Sequence, residues 1–371
     1  MYDKNTLVKI AKRHNNNKRA YLLVNPLQGK HLPANPAEAL AMMRTLGELT
    51  KKHAPKAKAL IAMAETATAI GAAAARELGL PDIFFVTTTR ESVTGQVIEF
   101  QEEHSHAVKQ RLYIQKAKEP LEKAEEIIIL DDEISTGRTL INMARVLRAH
   151  FPKIKRIIAA SIINRVSAEN EDLLAAENIV CVSLLKLPYE DYSPLALSFP
   201  SLAPTTPPAP SGVLPRFIRP LTGRINPRLG ANIGAYWEEC EENARFIAKS
   251  LESSQGFPHE GKILVLGTEE CMLPALILAD LLAKKFPGAK VFNHATTRSP
   301  IAVSAAAGYP IRRGFSLPSF YDAARQTYIY NTEKYAAAVV ASDAPTPSAA
   351  AVDALCGALA ETEKIFLAVK N

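Results

Sequence analysis

Two adjacent acids, Asp131 and Asp132, separate an apolar run, Ile127 to Leu130, from a hydroxyl-rich stretch, Ser135-Thr136-Gly137-Arg138-Thr139. The apolar run predicts a strand in a parallel sheet covered on both faces. Such sheets bind ligands beyond the carboxyl ends of their strands. The stretch that follows offers backbone N–H groups and hydroxyls to one phosphate. A helix starting near Thr139 adds the positive end of its dipole. The acids fall one step before that cradle, where the hydroxyls of a sugar attached to the phosphate would lie. This combination suits a phosphorylated sugar. The plain alternative is a surface turn capping a helix, its acids solvated.

Other junctions carry reactive residue types. Ala64-Glu65-Thr66 stands between a strand and a helix, where small residues let an anion approach and the helix start favours it. Glu65 is unusual there: it can hold Mg²⁺, orient the loop or bind an amine on a base. A capping Thr beside a first-turn acid is the bland reading. Glu103-His104-Ser105-His106 sets two histidines two residues apart, able to grip an anion or shuttle a proton. No third ligand has the spacing for a metal, and a solvated polar hairpin is the alternative. Arg90, Lys109 and Arg111 are further candidate anion contacts, or surface charges. Pro26 and Gly29 mark a turn with Lys30 and His31 as donors at its tip. Late in the chain, Glu269, Glu270, Thr297, Arg298 and Ser299 fall at predicted strand ends. Arg298, flanked by hydroxyls, is a candidate phosphate or carboxylate clamp.

These residues need a scaffold, and the chain alternates strand and helix patterns. Strands are predicted over Ala20–Val24, Ala57–Ala62, Ile83–Thr87, Ile127–Leu130, Ile157–Ile162 and Ile179–Leu184, with one more opening at Tyr113. Helices are predicted over Pro36–His53, Ala67–Leu78 and Leu140–Ala149. Strands alternating with helices imply a parallel α/β sheet. From Pro194 to Pro220 the chain turns Pro-rich and uncharged from Ser198 to Gly212, which predicts an extended linker without helix or sheet. The expected division is 1–193, a linker 194–220, and 221–371. The last part resumes the α/β texture: helices Tyr236–Leu251, Leu273–Lys285 and Ala349–Leu359, and strands Lys262–Leu266, Lys290–Phe292 and Ala336–Ala341.

The two parts share a pattern. Ala62-Met63-Ala64-Glu65-Thr66 and Thr88-Thr89-Arg90 have counterparts in Leu266-Gly267-Thr268-Glu269-Glu270 and Thr296-Thr297-Arg298. Asp131-Asp132 has a worn counterpart in Ser342-Asp343. The second domain is therefore expected to be a diverged copy of the first, or an α/β domain alike by class alone.

Composition bounds the function. The chain has 371 residues, 47% hydrophobic and 22% charged, with net charge +6. That length fits about two domains. No apolar run approaches a ~20-residue membrane span, and Met1 to Ala20 lacks a signal-peptide core. The four cysteines form no CxxC pair, which suits reduced thiols in the cytoplasm. A basic balance suits anionic small molecules. No basic run interleaved with aromatics argues for nucleic acid.

The Asp131 stretch resembles the phosphoribosyl pyrophosphate (PRPP) signature of type I phosphoribosyltransferases. The resemblance implies a Rossmann-like parallel sheet, Asp131 and Asp132 on the ribose hydroxyls, and Ser135 to Thr139 on the 5′-phosphate. It implies pyrophosphate at Ala64-Glu65-Thr66, with Arg90 beside it. Glu103, His104 and His106 fall on the mobile catalytic loop, and Lys30 and His31 in a hood over the base. Mg²⁺ is implied as cofactor, with Asp131 and Asp132 as its protein ligands. PRPP and a nucleobase-like acceptor are implied as substrates, pyrophosphate as product, and a homodimer by analogy. Together with Gly29-Lys30-His31 and Thr297-Arg298-Ser299-Pro300, the motifs resemble two-domain proteins of bacterial tellurite-resistance (Ter) stress gene clusters. Those join an orotate-phosphoribosyltransferase-like domain to a C-terminal TRSP domain. Synthesis of a nucleoside-like compound beside partner enzymes of the same cluster is what this implies. Rival readings are a PRPP- or nucleotide-sensing scaffold without catalysis, the reverse reaction, and nucleic-acid binding.

Overall fold

The computed structural model describes residues 2–16, 19–80, 82–100, 110–210, 214–218, 221 and 223–369. The alternating strands and helices build two sheets. The first runs, in spatial order, Ala231–Asn232, Phe84–Thr87, Ala59–Ala62, Glu126–Ile134, Arg156–Asn164 and Ile179–Lys186. It is parallel except for the short edge strand Ala231–Asn232. The second runs Arg216–Phe217, Ile365–Val369, Ala337–Ser342, Gly261–Gly267 and Ala289–Ala295, parallel throughout.

Strand parity divides the core, because alternate side chains face opposite sides of a sheet. Leu60, Ala62, Ile128 and Leu130 of the first sheet and Ile263, Val265, Val339 and Ala341 of the second belong to one shared cluster. Helices Pro36–His53, Ala67–Glu77, Ile233–Ser253 and Met272–Lys285 fill the space between the sheets. Close approach is possible because Ala67–Glu77 is nearly all small residues. A Cβ added at Gly71 would lie 2.4 Å from that of Ala62. The outer faces are covered separately. Ile127, Ile129 and Ala159 pack under Arg138–His150, and Leu264, Leu266 and Val340 under Ala349–Ala358 and the hairpin Gly314–Pro318/Gln326–Tyr330.

The second sheet repeats the first. Apart from the short helix Lys118–Lys123 before the first half's central strand, each half runs helix, strand, helix, strand, antiparallel hairpin, central strand, helix, strand. Register fixes the correspondence. Ala62 pairs with Thr87 and Leu130, and Gly267 with Ala295 and Ala341. Glu65 therefore matches Glu270, one residue away from the sequence alignment, which set it against Glu269. Asp131 matches Ser342 and Asp132 matches Asp343. Each half also lends the segment before its first helix to the other half's edge strand. Ala231 pairs with Phe85, and Ala34 with Asn293. Asn35 and Asn232, one residue on or within that pair, cap the two helices.

Several elements depart from the sequence expectation. The central strand does not stop at Leu130 but continues to Ile134, because its neighbour is equally long and pairs Asp131 with Ser161 and Ile134 with Asn164. Tyr113 ends a strand, Gln110–Tyr113, whose hairpin partner is Val97–Phe100. The Pro-rich segment is not a free linker. Ser193–Ser198 is helical, Leu202 bridges to Val303, Thr205 to Phe315, and Arg216–Phe217 joins the second sheet. Its non-proline N–H groups are available for pairing, and Pro208 lies against Gly357, where a Cβ would meet its carbonyl oxygen at 2.1 Å. Among the described residues no helix is long and apolar enough to cross a membrane.

Lys30 and His31 are not at an exposed tip; both are buried where the halves meet. Burial, then the nearby Lys30, His294 and Arg13, hold the His31 ring well below the usual histidine range. Burial likewise lowers His294, although its ring nitrogens lie 3.2 and 2.8 Å from the carbonyl oxygens of Gly29 and Tyr330. The unfolded chain thus takes up these protons at higher pH than the folded one. The stability tied to these two histidines is fully present above about pH 6.5 and is lost as pH falls below it. Calorimetry should give a single unfolding transition, since one core spans both halves; two separated transitions would make the halves independent. Its midpoint should drop between pH 7 and 5.5, and a His31→Gln variant should flatten that drop.

Candidate functional site

Asp131 and Asp132 lie on the last turn-ward residues of the central strand, both half-buried, with the Asp132 N–H donating to Asp131 Oδ1 at 2.8 Å. Gly137 then takes a left-handed conformation, φ +77°, which frees the chain to enter the helix Arg138–His150. A side chain there would be strained, and its Cβ would meet Leu174 at 2.7 Å. Gly137 offers no side-chain cap to this helix start, and the Arg138 N–H donates to Thr136 Oγ1 at 3.4 Å; a helix N-terminus of this kind favours an anion. Ser135, Thr136 and Thr139 supply hydroxyls around them; Arg138 is exposed. These residues lie together between the strand and the helix.

The equivalent place in the second half is filled by its own side chains. Asp343 is bound by Arg228 at 2.6 Å and by the Tyr321 hydroxyl. Ser342, at the position of Asp131, takes a 2.7 Å hydrogen bond from Thr268. Ser348, at the position of Gly137, caps its own helix through the Ala351 N–H. No such basic partner holds Asp132 among the described residues.

The loop Ala64-Glu65-Thr66 follows strand Ala59–Ala62 and leads into Ala67–Glu77. Thr88 donates nothing to it but accepts the Ala64 N–H at 2.8 Å, and Gln110 Nε2 donates to the Ala64 carbonyl at 2.7 Å. Lys30 reaches in, bonded to Thr66 Oγ1 and 3.2 Å from Glu65. Its partners here are thus residues of that loop.

Glu65 faces the other half. It accepts the Arg298 N–H at 3.3 Å and lies 3.5 Å from the Arg298 side chain. Burial pushes its carboxyl up, but Lys30, Arg298 and a hydrogen bond from Thr297 outweigh burial and hold it below the ordinary value. The contact is reciprocal. Glu270 accepts from Thr89 Oγ1 at 2.8 Å and from the Arg90 N–H at 3.4 Å, and pairs with Arg228 at 2.6 Å. Each glutamate therefore sits on the Thr-Thr-Arg turn of the opposite half, with a basic residue behind it.

Arg298 also bonds Glu269 at 2.7 Å and Glu91, and lies 3.6 Å from Glu270. Arg325 joins Glu91 at 2.9 Å and Glu269 at 3.2 Å. Burial raises the Glu269 carboxyl despite these cations. Ser299 donates its N–H to Thr297 Oγ1. The five C-terminal residues read from the sequence do cluster, but as a seam with the first half rather than as a separate pocket. Arg298 is a carboxylate clamp.

Glu103, His104, His106 and Lys109 lie outside the described residues, in the connection between Val97–Phe100 and Gln110–Tyr113. Sequence reasoning passed over Arg165. Its side chain, 1% exposed, pairs with Glu133 at 3.1 Å and donates to Tyr21 Oη at 2.9 Å, close to the Tyr189 and Tyr192 rings. A lone arginine straight after an apolar strand was the available signal. Among the described residues no cluster of three or more His, Cys, Asp or Glu side chains can hold a metal by itself.

Residues 7–187 match the family described as phosphoribosyl transferase, and residues 226–359 the TRSP domain C-terminal to it. No curated protein matches the chain. Among solved structures, adenine phosphoribosyltransferase from Rhodothermus marinus is similar at 15% identity and TM-score 0.37, over 49% of this chain and 96% of its own. The Giardia lamblia enzyme complexed with 9-deazaadenine is similar at 16% identity and TM-score 0.36, over 50% and 96%. Orotate phosphoribosyltransferase from Aeropyrum pernix is similar at 15% and 0.32, over 50% and 89%. The first part of the chain is thus similar to the phosphoribosyl transferase family and the second to the TRSP domain that follows it in such proteins.

Proposed function

We propose that the N-terminal domain transfers a phosphoribosyl group from PRPP to a nucleobase-like acceptor, or runs the reverse. The observation that carries this is the acid pair on the carboxyl-side half of the central strand, followed by a helix start entered through Gly137. Asp131 and Asp132 accept from the ribose hydroxyls. Ser135, Thr136, Gly137, Arg138 and Thr139 receive the 5′-phosphate. Ala64, Glu65, Thr66 and Arg90 border the pyrophosphate. The bond from ribose C1 to pyrophosphate oxygen breaks and its electron pair leaves with pyrophosphate. An acceptor nitrogen bonds C1, and its proton passes to solvent or to His104 or His106. Charge builds on the ribose as that bond lengthens, so the acids both orient the sugar and favour the cation electrostatically.

Mg²⁺ suits this donor set: Asp131 and Asp132 give the one or two carboxylates that the ion takes alongside ligand oxygens. When bound it would neutralise the departing pyrophosphate. Free cysteines and the family resemblance support a cytoplasmic role in making a nucleoside-like compound linked to tellurite or other stress.

One observation favours a second reading, a PRPP- or nucleotide-sensing scaffold: the 64–66 loop is already engaged by Lys30 and, through Glu65, by Arg298. Replacing His104 and His106 by Ala separates the two, because a transferase loses rate and a sensor keeps its binding.

Asp131→Asn with Asp132→Asn should lower turnover at least 10³-fold, measured as pyrophosphate release across a panel of bases, with the unfolding transition intact. Normal turnover in that double variant would remove the acids from the site. Titration of PRPP with Mg²⁺ should give one site per chain, lost in the same variant; a second surviving site would make the C-terminal half competent.

A further inference from the structure

The second half repeats the order of the first, yet Ser342 and Asp343, which stand where the first half has its acid pair, and the helix start after them are occupied from within. What remains unabsorbed is the seam. Four basic side chains, Lys30, Arg228, Arg298 and Arg325, are linked there to five carboxylates, Glu65, Glu91, Glu269, Glu270 and Asp343. Such a set has no surplus of positive charge to offer a polyanion. Lys30 and Arg298 nevertheless flank the loop whose helix start favours one. For an anion to enter, a carboxylate must give way.

Glu65 is the carboxylate in question. It is buried, stands inside the loop, and is held by Lys30 from its own half and by the Arg298 N–H and side chain from the other. Its counterpart, Glu270, accepts from Thr89 and the Arg90 N–H of the opposite half but stands in a half already closed by Arg228, Tyr321 and Ser348. The two glutamates are alike in accepting from the opposite Thr-Thr-Arg turn and in pairing with a basic residue of their own half.

We propose that Glu65 is a latch: it holds the 64–66 loop closed against Arg298 of the C-terminal domain, and a pyrophosphate-bearing ligand opens it by taking Lys30 and Arg298. Glu65 and Arg298 are then positioning residues, and the C-terminal domain is a silenced copy that sets the threshold for ligand entry. Guanidinium suits the exchange, since it binds carboxylate and phosphate in the same forked geometry. The inference rests on the phosphoribosyltransferase reading of the N-terminal domain.

The test is calorimetric titration of pyrophosphate, and separately of PRPP, each with Mg²⁺, into the full chain and its variants. Glu65→Gln keeps one acceptor oxygen, replaces the other by an amide that cannot accept from Lys30 or Arg298, and removes the competing charge. It should bind both ligands at least tenfold more tightly than wild type. Arg298→Met should bind them at least tenfold more weakly, with Arg298→Lys between. Exchange of the Arg298 amide hydrogen should speed up when ligand is added to wild type. A single unfolding transition checks that each variant is folded. If Glu65→Gln does not fold, Glu91→Gln, which frees Arg298 from a more exposed partner, should tighten binding in the same direction. Ligand binding to wild type with equal or weaker binding to Glu65→Gln overturns the latch and leaves the transferase reading standing. No binding to any folded variant overturns both.

Discussion

Burying Arg298 is the constraint to which the rest of the molecule answers. Its side chain is 9% exposed. A guanidinium so placed costs several kcal/mol unless carboxylates surround it. Here they come from both halves: Glu65 and Glu91 from the first, Glu269 and Glu270 from the second. Each half supplies two of the four. The four helices between the sheets then have a defined separation, and the loops at the strand ends a defined depth. Removing one carboxylate would leave charge unpaired in an interior that tolerates it poorly.

Much of the first half was legible. The run Ile127 to Leu130 could only be an interior strand, and two acids followed by small hydroxyl residues and glycine mark a strand-to-helix turn built for an anion. The helix Pro36–His53 was also readable to its ends, because Asn35 caps it, proline suits its first position and basic residues close it. The strand's continuation through Asp131 was not. Backbone pairing with a long neighbour decided it, and acids give no sign of that. The hairpin Gly314–Pro318/Gln326–Tyr330 and the strand Ile365–Val369 were missed because short strands outside a helical alternation carry little periodicity.

The seam was illegible for a different reason. Glu65 and the Arg298 N–H it receives are 233 residues apart, and no local pattern links them. The clue was the oddity of an acid in an anion loop. It was visible as an oddity, but its partner was not. The repeat was readable in outline, and its register slipped by one because Glu269 and Glu270 are adjacent and either can stand opposite Glu65. Only the pairing of Gly267 with Ala295 and Ala341 decides between them.

The exchange of edge segments has its own consequence. Ala231–Asn232 covers the edge of the first sheet and Ala34 that of the second. A chain divided between the halves would bare both edges, each with unpaired N–H and C=O groups shaped to receive a segment that another chain also carries. Low-cost domain swapping follows from such geometry. Covalent continuity through the Pro-rich strap keeps the donor segment at high local concentration, so that each edge is closed by its own chain before a neighbour arrives.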